Sequence, residues 1–203
     1  MHINLKGLHR SGTNYLTQIL EMNYGIWAIH EVTHGKESKH FKPISNSSLK
    51  TIVIHKNPYK WFESLALRMV VEWKKHHPQC CNAPVLGTNE VNLIESMKIY
   101  KDFYNHFYDQ VPADHYMRYE DLISEDKDAI VRNIGTALNV DLMHDGNIVY
   151  PKRVRVTEGN WDPSRVNYYS STEDFKLLER EHLDQINSFL GPQFFAKLGY
   201  EMV

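Results

Sequence analysis

The chain has 203 residues, 42% hydrophobic and 24% charged, with a formal net charge of −2 at pH 7. These proportions exclude a collagen-like, low-complexity or charge-expanded disordered chain, and the near balance of charge leaves no global basic field for nucleic acid, so any anion site must be local. The longest apolar runs fall far short of the roughly 20 residues that span a bilayer, and the N-terminus enters a strand without the h-region of a signal peptide. The expectation is a cytoplasmic protein with no integral membrane segment. Its two cysteines, Cys80 and Cys81, are adjacent and ill placed for an ordinary disulfide, which suits a reducing compartment. One domain spanning 1–203 is expected, since α/β folds of this size commonly form a single core.

A first strand is predicted near residues 2–7. It runs into Gly7-Leu8-His9-Arg10-Ser11-Gly12 and then a helix from Thr13 to about Met22. Gly7 and Gly12 bracket four residues as in the phosphate-binding pattern G-x-x-x-x-G-K-[ST], but Thr13-Asn14 stands where a nucleotide triphosphatase carries its lysine and magnesium-binding hydroxyl. What remains is a loop of backbone N–H groups before a helix N-terminus, with the cation Arg10 inside it, able to hold a phosphate-like group. The plainer reading of Ser11-Gly12-Thr13 is a helix N-cap.

A second strand is predicted around Ile26–Ile29, a polar loop from Glu31 to Ser48, and a third strand over Thr51–His55. Pro58 opens a helix to about Trp73, where its missing N–H costs nothing. Residues 74–88 contain Pro78, Pro84 and Gly87 and read as a break. An amphipathic helix follows from about Asn89 to Tyr108, and its stripe Tyr100, Phe103, Tyr104, Phe107, Tyr108 is expected in a core. A fourth strand is predicted over His115–Tyr119, a helix from Glu125 to Leu138, and irregular chain over 139–171. A last helix is predicted from Thr172 to Leu190, started by a capping box at Ser171/Thr172. His76-His77-Pro78-Gln79-Cys80-Cys81 is a poor zinc site, because adjacent ligands in so short a segment do not readily close one tetrahedron. A lid or acceptor-pocket loop is the better reading. Strands alternating with helices imply a parallel sheet with ligands at its carboxyl ends.

With these blocks in order, the chain resembles the sulfotransferases that use 3′-phosphoadenosine-5′-phosphosulfate (PAPS). Arg10 to Leu16 is similar to the family's 5′-phosphosulfate loop, [Lys/Arg]-Ser-Gly-Thr-[Thr/Asn]-[aromatic]-Leu. Lys56-Asn57-Pro58 with Ser64 resembles its 3′-phosphate motif. Tyr119-Glu120-Asp121-Leu122 resembles its strand-end signature, and Leu198-Gly199-Tyr200-Glu201 the end of many bacterial members. The resemblance implies donor contacts from Arg10, Ser11, Gly12, Thr13, Asn14, Tyr15, Lys56, Ser64 and Tyr119. The late run Lys152-Arg153-Val154-Arg155, followed by Glu158-Gly159-Asn160-Trp161, resembles the family's basic loop, so Arg153 or Arg155 is expected on the 3′-phosphate. The plain alternatives are an exposed strand-end lysine for Lys56, an ordinary helical serine for Ser64 and a solvated basic run for the late loop. Lys56 replaces the usual arginine, giving a point charge instead of a bidentate fork, for which Arg68 is a candidate supplement.

Catalysis is expected from Arg10, whose permanently charged guanidinium stabilises developing negative charge without serving well as a proton donor. The general base is expected in the loop after the second strand. Thr33-His34 resembles the pair of cytosolic small-molecule sulfotransferases, and an imidazole titrating near neutrality suits removal of an acceptor proton. Glu31 is the rival base, and Lys36 a contact to an anionic acceptor. The resulting expectation is an α/β protein, a single-domain P-loop-like three-layer α/β/α sandwich with a central parallel sheet of four to five strands. It would move a sulfuryl group from PAPS to an acceptor hydroxyl or amine and release adenosine 3′,5′-bisphosphate (PAP), with no metal required. The acceptor is a sugar, lipid, small metabolite or peptide. The alternatives are a P-loop nucleotide or small-molecule kinase and a non-catalytic nucleotide-binding protein.

Overall fold

The computed structural model describes residues 1–30, 49–76, 92–108, 110–151 and 175–203. Among them, the elements in chain order are β1 (His2–Lys6), α1 (Thr13–Tyr24), β2 (Trp27–His30), β3 (Thr51–His55), α2 (Pro58–His76), α3 (Leu93–Tyr108), β4 (Tyr116–Arg118), α4 (Lys127–Leu138), α5 (Arg180–Leu190) and α6 (Pro192–Lys197). Short 3₁₀ turns at Ala113–His115 and Asp121–Ile123 flank β4. The chain is α/β, and its four described strands form one sheet, all parallel, in the order β2-β1-β3-β4. No helix among the described residues is long and apolar enough to cross a membrane.

Two compact units divide the chain. One contains Met1–Lys56 with His106–Ser171, the other Asn57–Asn105 with Thr172–Val203. The first holds the sheet. Its strand β3 is covered on both faces, as an inner strand of a parallel sheet is, and all five of its residues are buried, whereas Trp27 and Ile29 of the edge strand β2 are exposed. By the two-residue period, Ile52 and Ile54 face a core shared with Ile3, Leu16 and Ile134, while Thr51, Val53 and His55 turn to the opposite face. The cross-strand register sets Lys6 beside Val53 and His55 beside Arg118. This brings the chain ends that follow β1, β3 and β4 to one edge of the sheet.

The second unit is built on aromatic packing. Trp61 lies 5.0 Å from Tyr100, Tyr100 lies 4.6 Å from Tyr104, and the Tyr59 ring stacks on Phe195 at 5.2 Å. Tyr100, Phe103 and Tyr104 are buried here, and Phe107, which belongs to the first unit, is buried as well, so these four members of the α3 stripe are core as the helical spacing predicts, while Tyr108 is half-buried. At the start of α2, Asn57 Oδ1 accepts the N–H groups of Tyr59 at 3.0 Å and Lys60 at 3.4 Å, with Pro58 between them. An asparagine cap followed by proline in the first helical position is a local stop-and-start signal.

Several predicted boundaries move. The fourth strand starts at Tyr116, because His115 closes a 3₁₀ turn through its N–H to the Pro112 carbonyl. It ends at Arg118, with Tyr119 in the turn that follows. The next helix starts at Lys127 instead of Glu125. The helix α3 starts at Leu93, since Asn92 Oδ1 caps it by accepting the Glu95 N–H at 2.9 Å; residues 89–91 lie outside the described set. The last predicted helix starts at Arg180, with a capping box between Glu179 and His182. In the described part of the stretch before it, the N–H groups of Lys176 and Leu177 donate to the buried Glu63 carboxylate, the latter at 2.5 Å. Ser171 and Thr172 lie outside the described residues. Helix α6 is an addition, with Pro192 opening it.

Candidate functional site at the carboxyl edge of the sheet

The loop between β1 and α1 is held by close packing. A Cβ on Gly7 would fall 2.7 Å from Thr13 Cγ2 and 2.8 Å from Ile54 Cγ2, so no larger residue fits where the loop leaves the sheet. Arg10 is held at φ 75°, in the left-handed region that costs a non-glycine residue about 1–3 kcal/mol. Such strain persists only where surrounding structure imposes it. The Ser11 hydroxyl donates to the Leu8 carbonyl at 2.6 Å, and Ser11 N–H donates to the same oxygen at 3.1 Å, closing the loop on itself.

The plain capping reading of Ser11 and Thr13 is therefore corrected: the N-cap of α1 is Gly12, at φ 97°. Glycine has no side chain to accept from the helix's first N–H groups, which lack intrahelical acceptors by geometry. Its own carbonyl accepts from Tyr15 at 3.0 Å and Leu16 at 3.1 Å. A helix start of this kind, with a cation in the preceding loop, presents positive potential to an anion. Thr13 is buried with its methyl against Gly7, whereas Arg10, Gly12 and Asn14 are half-buried.

Tyr119 joins this loop to the end of β3. Its ring lies against Gly12 and meets the Tyr15 ring edge-on at 6.2 Å between centroids. Its N–H donates to the His55 carbonyl at 2.8 Å, extending the β3–β4 pairing by one step. The Lys56 ammonium sits over the Tyr119 ring, 4.2 Å from its centroid. Lys56 is 3% exposed, so the exposed-lysine reading does not hold. Burial lowers its pKa to about 7; the Glu120 carboxylate opposes that shift and the Arg10 guanidinium adds to it. A cation over a desolvated ring gains about 2 kcal/mol, which offsets only part of the cost of burying an ammonium.

The four residues Tyr119-Glu120-Asp121-Leu122 thus do four different things. Tyr119 packs on the loop, and Glu120 supplies negative charge toward Lys56. Asp121 grips Arg118 through Nε at 2.9 Å and Nη2 at 2.6 Å, and Leu122 is in the core. His55, 2% exposed, keeps a neutral imidazole because burial, helped by the Arg118 charge, lowers its pKa to about 3. Glu120 is not among the site residues expected from sequence, although a charge at a strand end is visible there.

Of the expected donor contacts, Arg10 to Tyr15, Lys56 and Tyr119 fall in the first unit: Arg10, Ser11 and Gly12 on the loop after β1, Thr13, Asn14 and Tyr15 in the first turn of α1, and Lys56 and Tyr119 just after β3 and β4. Ser64 falls in the second unit, buried on α2. Arg68 is on α2 with its side chain outside the described set. The expected bases His34 and Glu31, the acceptor contact Lys36, the segment His77–Cys81 and the late-loop residues Arg153, Arg155 and Trp161 lie outside the described residues. No family model, curated protein or solved structure matches this chain.

Proposed function

We propose that the chain is a PAPS-dependent sulfotransferase, built as a P-loop-like three-layer sandwich and working in the cytoplasm. The observation that carries the reading is the meeting of a strained, arginine-bearing loop after β1 with a buried lysine after β3 and a Tyr-Glu pair after β4. Neighbouring parallel strands deliver their carboxyl-end loops to one place, where ligands of open α/β sheets bind. The residues fit a sulfated nucleotide. The Gly12 helix start and Arg10 suit a 5′-phosphosulfate, and Lys56 a second phosphate.

In this reading the donor brings a sulfur already bonded to a good phosphate leaving group. The acceptor oxygen or nitrogen forms a bond to that sulfur as the bridging S–O bond breaks. Its proton passes to His34 or Glu31, and the bridging electrons leave on the 5′-phosphate of PAP. Arg10 stabilises that developing charge, and the loop orients the group for in-line attack; positioning and charge stabilisation then supply most of the catalysis. The kinase alternative needs magnesium and a phosphate-binding lysine at Thr13.

The test is calorimetric titration with PAP and with ATP, each with and without magnesium. PAP binding that is indifferent to magnesium is expected. Preference for magnesium-ATP moves the protein to the kinase class, and no affinity for either removes the nucleotide reading altogether.

A further inference from the structure

We propose that Lys56 takes up a proton as its phosphate ligand binds, so that anion affinity at this site falls as pH rises above neutrality. The inference rests on the donor-site reading and adds a property specific to a lysine in this place. Lys56 is 3% exposed, and its ammonium faces the Tyr119 ring at 4.2 Å. Arg10 from the loop after β1 and Glu120 from the turn after β4 both act on its charge. Two titratable groups of the same neighbourhood are neutral at working pH. His55 precedes it on β3 and has its pKa lowered by burial to about 3, and Tyr15, edge-on to Tyr119, has its pKa raised by burial to about 12.

At Lys56 the Glu120 carboxylate favours the charged form, and the loss of water and the Arg10 guanidinium oppose it. Burial prevails and lowers the amine to about 7. A phosphate dianion arriving beside it adds two negative charges in a medium of low dielectric, which restores the charged form. An arginine in this position would stay charged throughout and take up nothing. The ring of Tyr119 contributes in both states, because a π-face stabilises the ammonium but cannot accept its proton.

The experiment is titration of the full chain with PAP at about pH 6 and about pH 8.5, each in two buffers of different ionisation enthalpy, which counts protons exchanged on binding. Close to one proton taken up per site is expected at the higher pH, where the phosphates of PAP are already dianions. At the lower pH the amine takes up almost none and the phosphates, with a second pKa of about 6, release protons instead. Affinity falls about tenfold per pH unit above the free amine's pKa. Lys56→Arg should bind with no such uptake. In parallel, NMR of the lysine ε-carbons in the wild-type chain should show one amine titrating near neutrality without ligand and moving upward when PAP is added. PAP binding without proton uptake at the higher pH, or every lysine titrating at about 10, overturns the inference and leaves the donor site standing. Absence of PAP binding at both pH values overturns both.

Discussion

A Cβ on Gly12 would fall 2.2 Å from Cδ2 of Tyr119, and Gly12 itself sits at φ 97°. The sheet-edge tyrosine and the loop glycine are thus fitted to each other twice, by contact and by backbone conformation. Gly12→Ala should cost about 1–3 kcal/mol through strain and overpacking, read as a lower urea midpoint at unchanged m-value. Tyr119→Ala in the same chain should return the contact part of that loss but not the φ part, giving a coupling energy above about 0.5 kcal/mol. An unchanged midpoint in Gly12→Ala would mean that the loop is not held as described.

Two buried bases give the stability a pH signature. The folded pKa of Lys56 lies near 7 against an ordinary 10.5, and that of His55 near 3 against 6.5. In each window the unfolded chain binds more protons, so stability rises with pH, by up to about 1.4 kcal/mol per unit for one group. Stability is therefore expected to climb from pH 3 to 6.5 through His55 and from pH 7 toward 10 through Lys56. Above pH 10 the buried Tyr15, with its pKa raised to about 12, acts oppositely, since its neutral form is the one that folds. Chemical unfolding of Lys56→Met across the upper window should give a flatter profile. A slope identical to wild type assigns the effect to another group.

Donor selectivity tests the assignment of the second phosphate. Removing a charge-assisted contact costs about 1.5–3 kcal/mol, or roughly ten- to a hundredfold in affinity. Lys56→Ala and Ser64→Ala should each narrow the preference for PAP over AMP by that factor, and donor binding and turnover should persist in EDTA. Full discrimination retained in both variants removes these residues from the 3′-phosphate.

Asn57 separates capping from ligand contact inside the same motif. Its side chain accepts two N–H groups at the start of α2. Asn57→Ala should lower stability by about 1 kcal/mol, while Asn57→Asp and Asn57→Ser stay close to wild type. PAP affinity per folded molecule should not change, and a selective loss of affinity in Asn57→Ser would show that this side chain belongs to the ligand site.

The base is expected at His34. His34→Ala should reduce turnover by about 10²–10⁴ with donor affinity nearly intact, and Glu31→Gln should be milder. Transfer from radiolabelled donor to a panel of acceptors reads both. Normal transfer by His34→Ala together with loss in Glu31→Gln gives the role to Glu31.

Much of the sheet was legible in the chain because parallel strands announce themselves locally. The apolar run Thr51–His55, closed by Asn57-Pro58, carries both its burial and its stop within a few residues. The aromatic stripe on α3 likewise follows from helical spacing. The start of α5 was not legible, since the N–H groups of Lys176 and Leu177 are taken by Glu63, more than a hundred positions earlier. Nothing near Thr172 in sequence signals that partner.

The same division runs through the site. The sequence alone determined that an arginine stands in a glycine-bounded loop, that a lysine ends the third strand, and that Tyr-Glu follows the fourth. Those are matters of residue order and strand-to-helix punctuation. Only the tertiary structure decided that Gly12, and not a hydroxyl residue, starts α1, and that Tyr119 packs against it. It also decided that Lys56 is buried, with an arginine and a glutamate acting on its charge in opposite directions, and is brought by that burial to the edge of neutrality. The reason is physical: a side chain's charge state depends on the water it has lost and the charges around it, and both are set by residues far away in the chain.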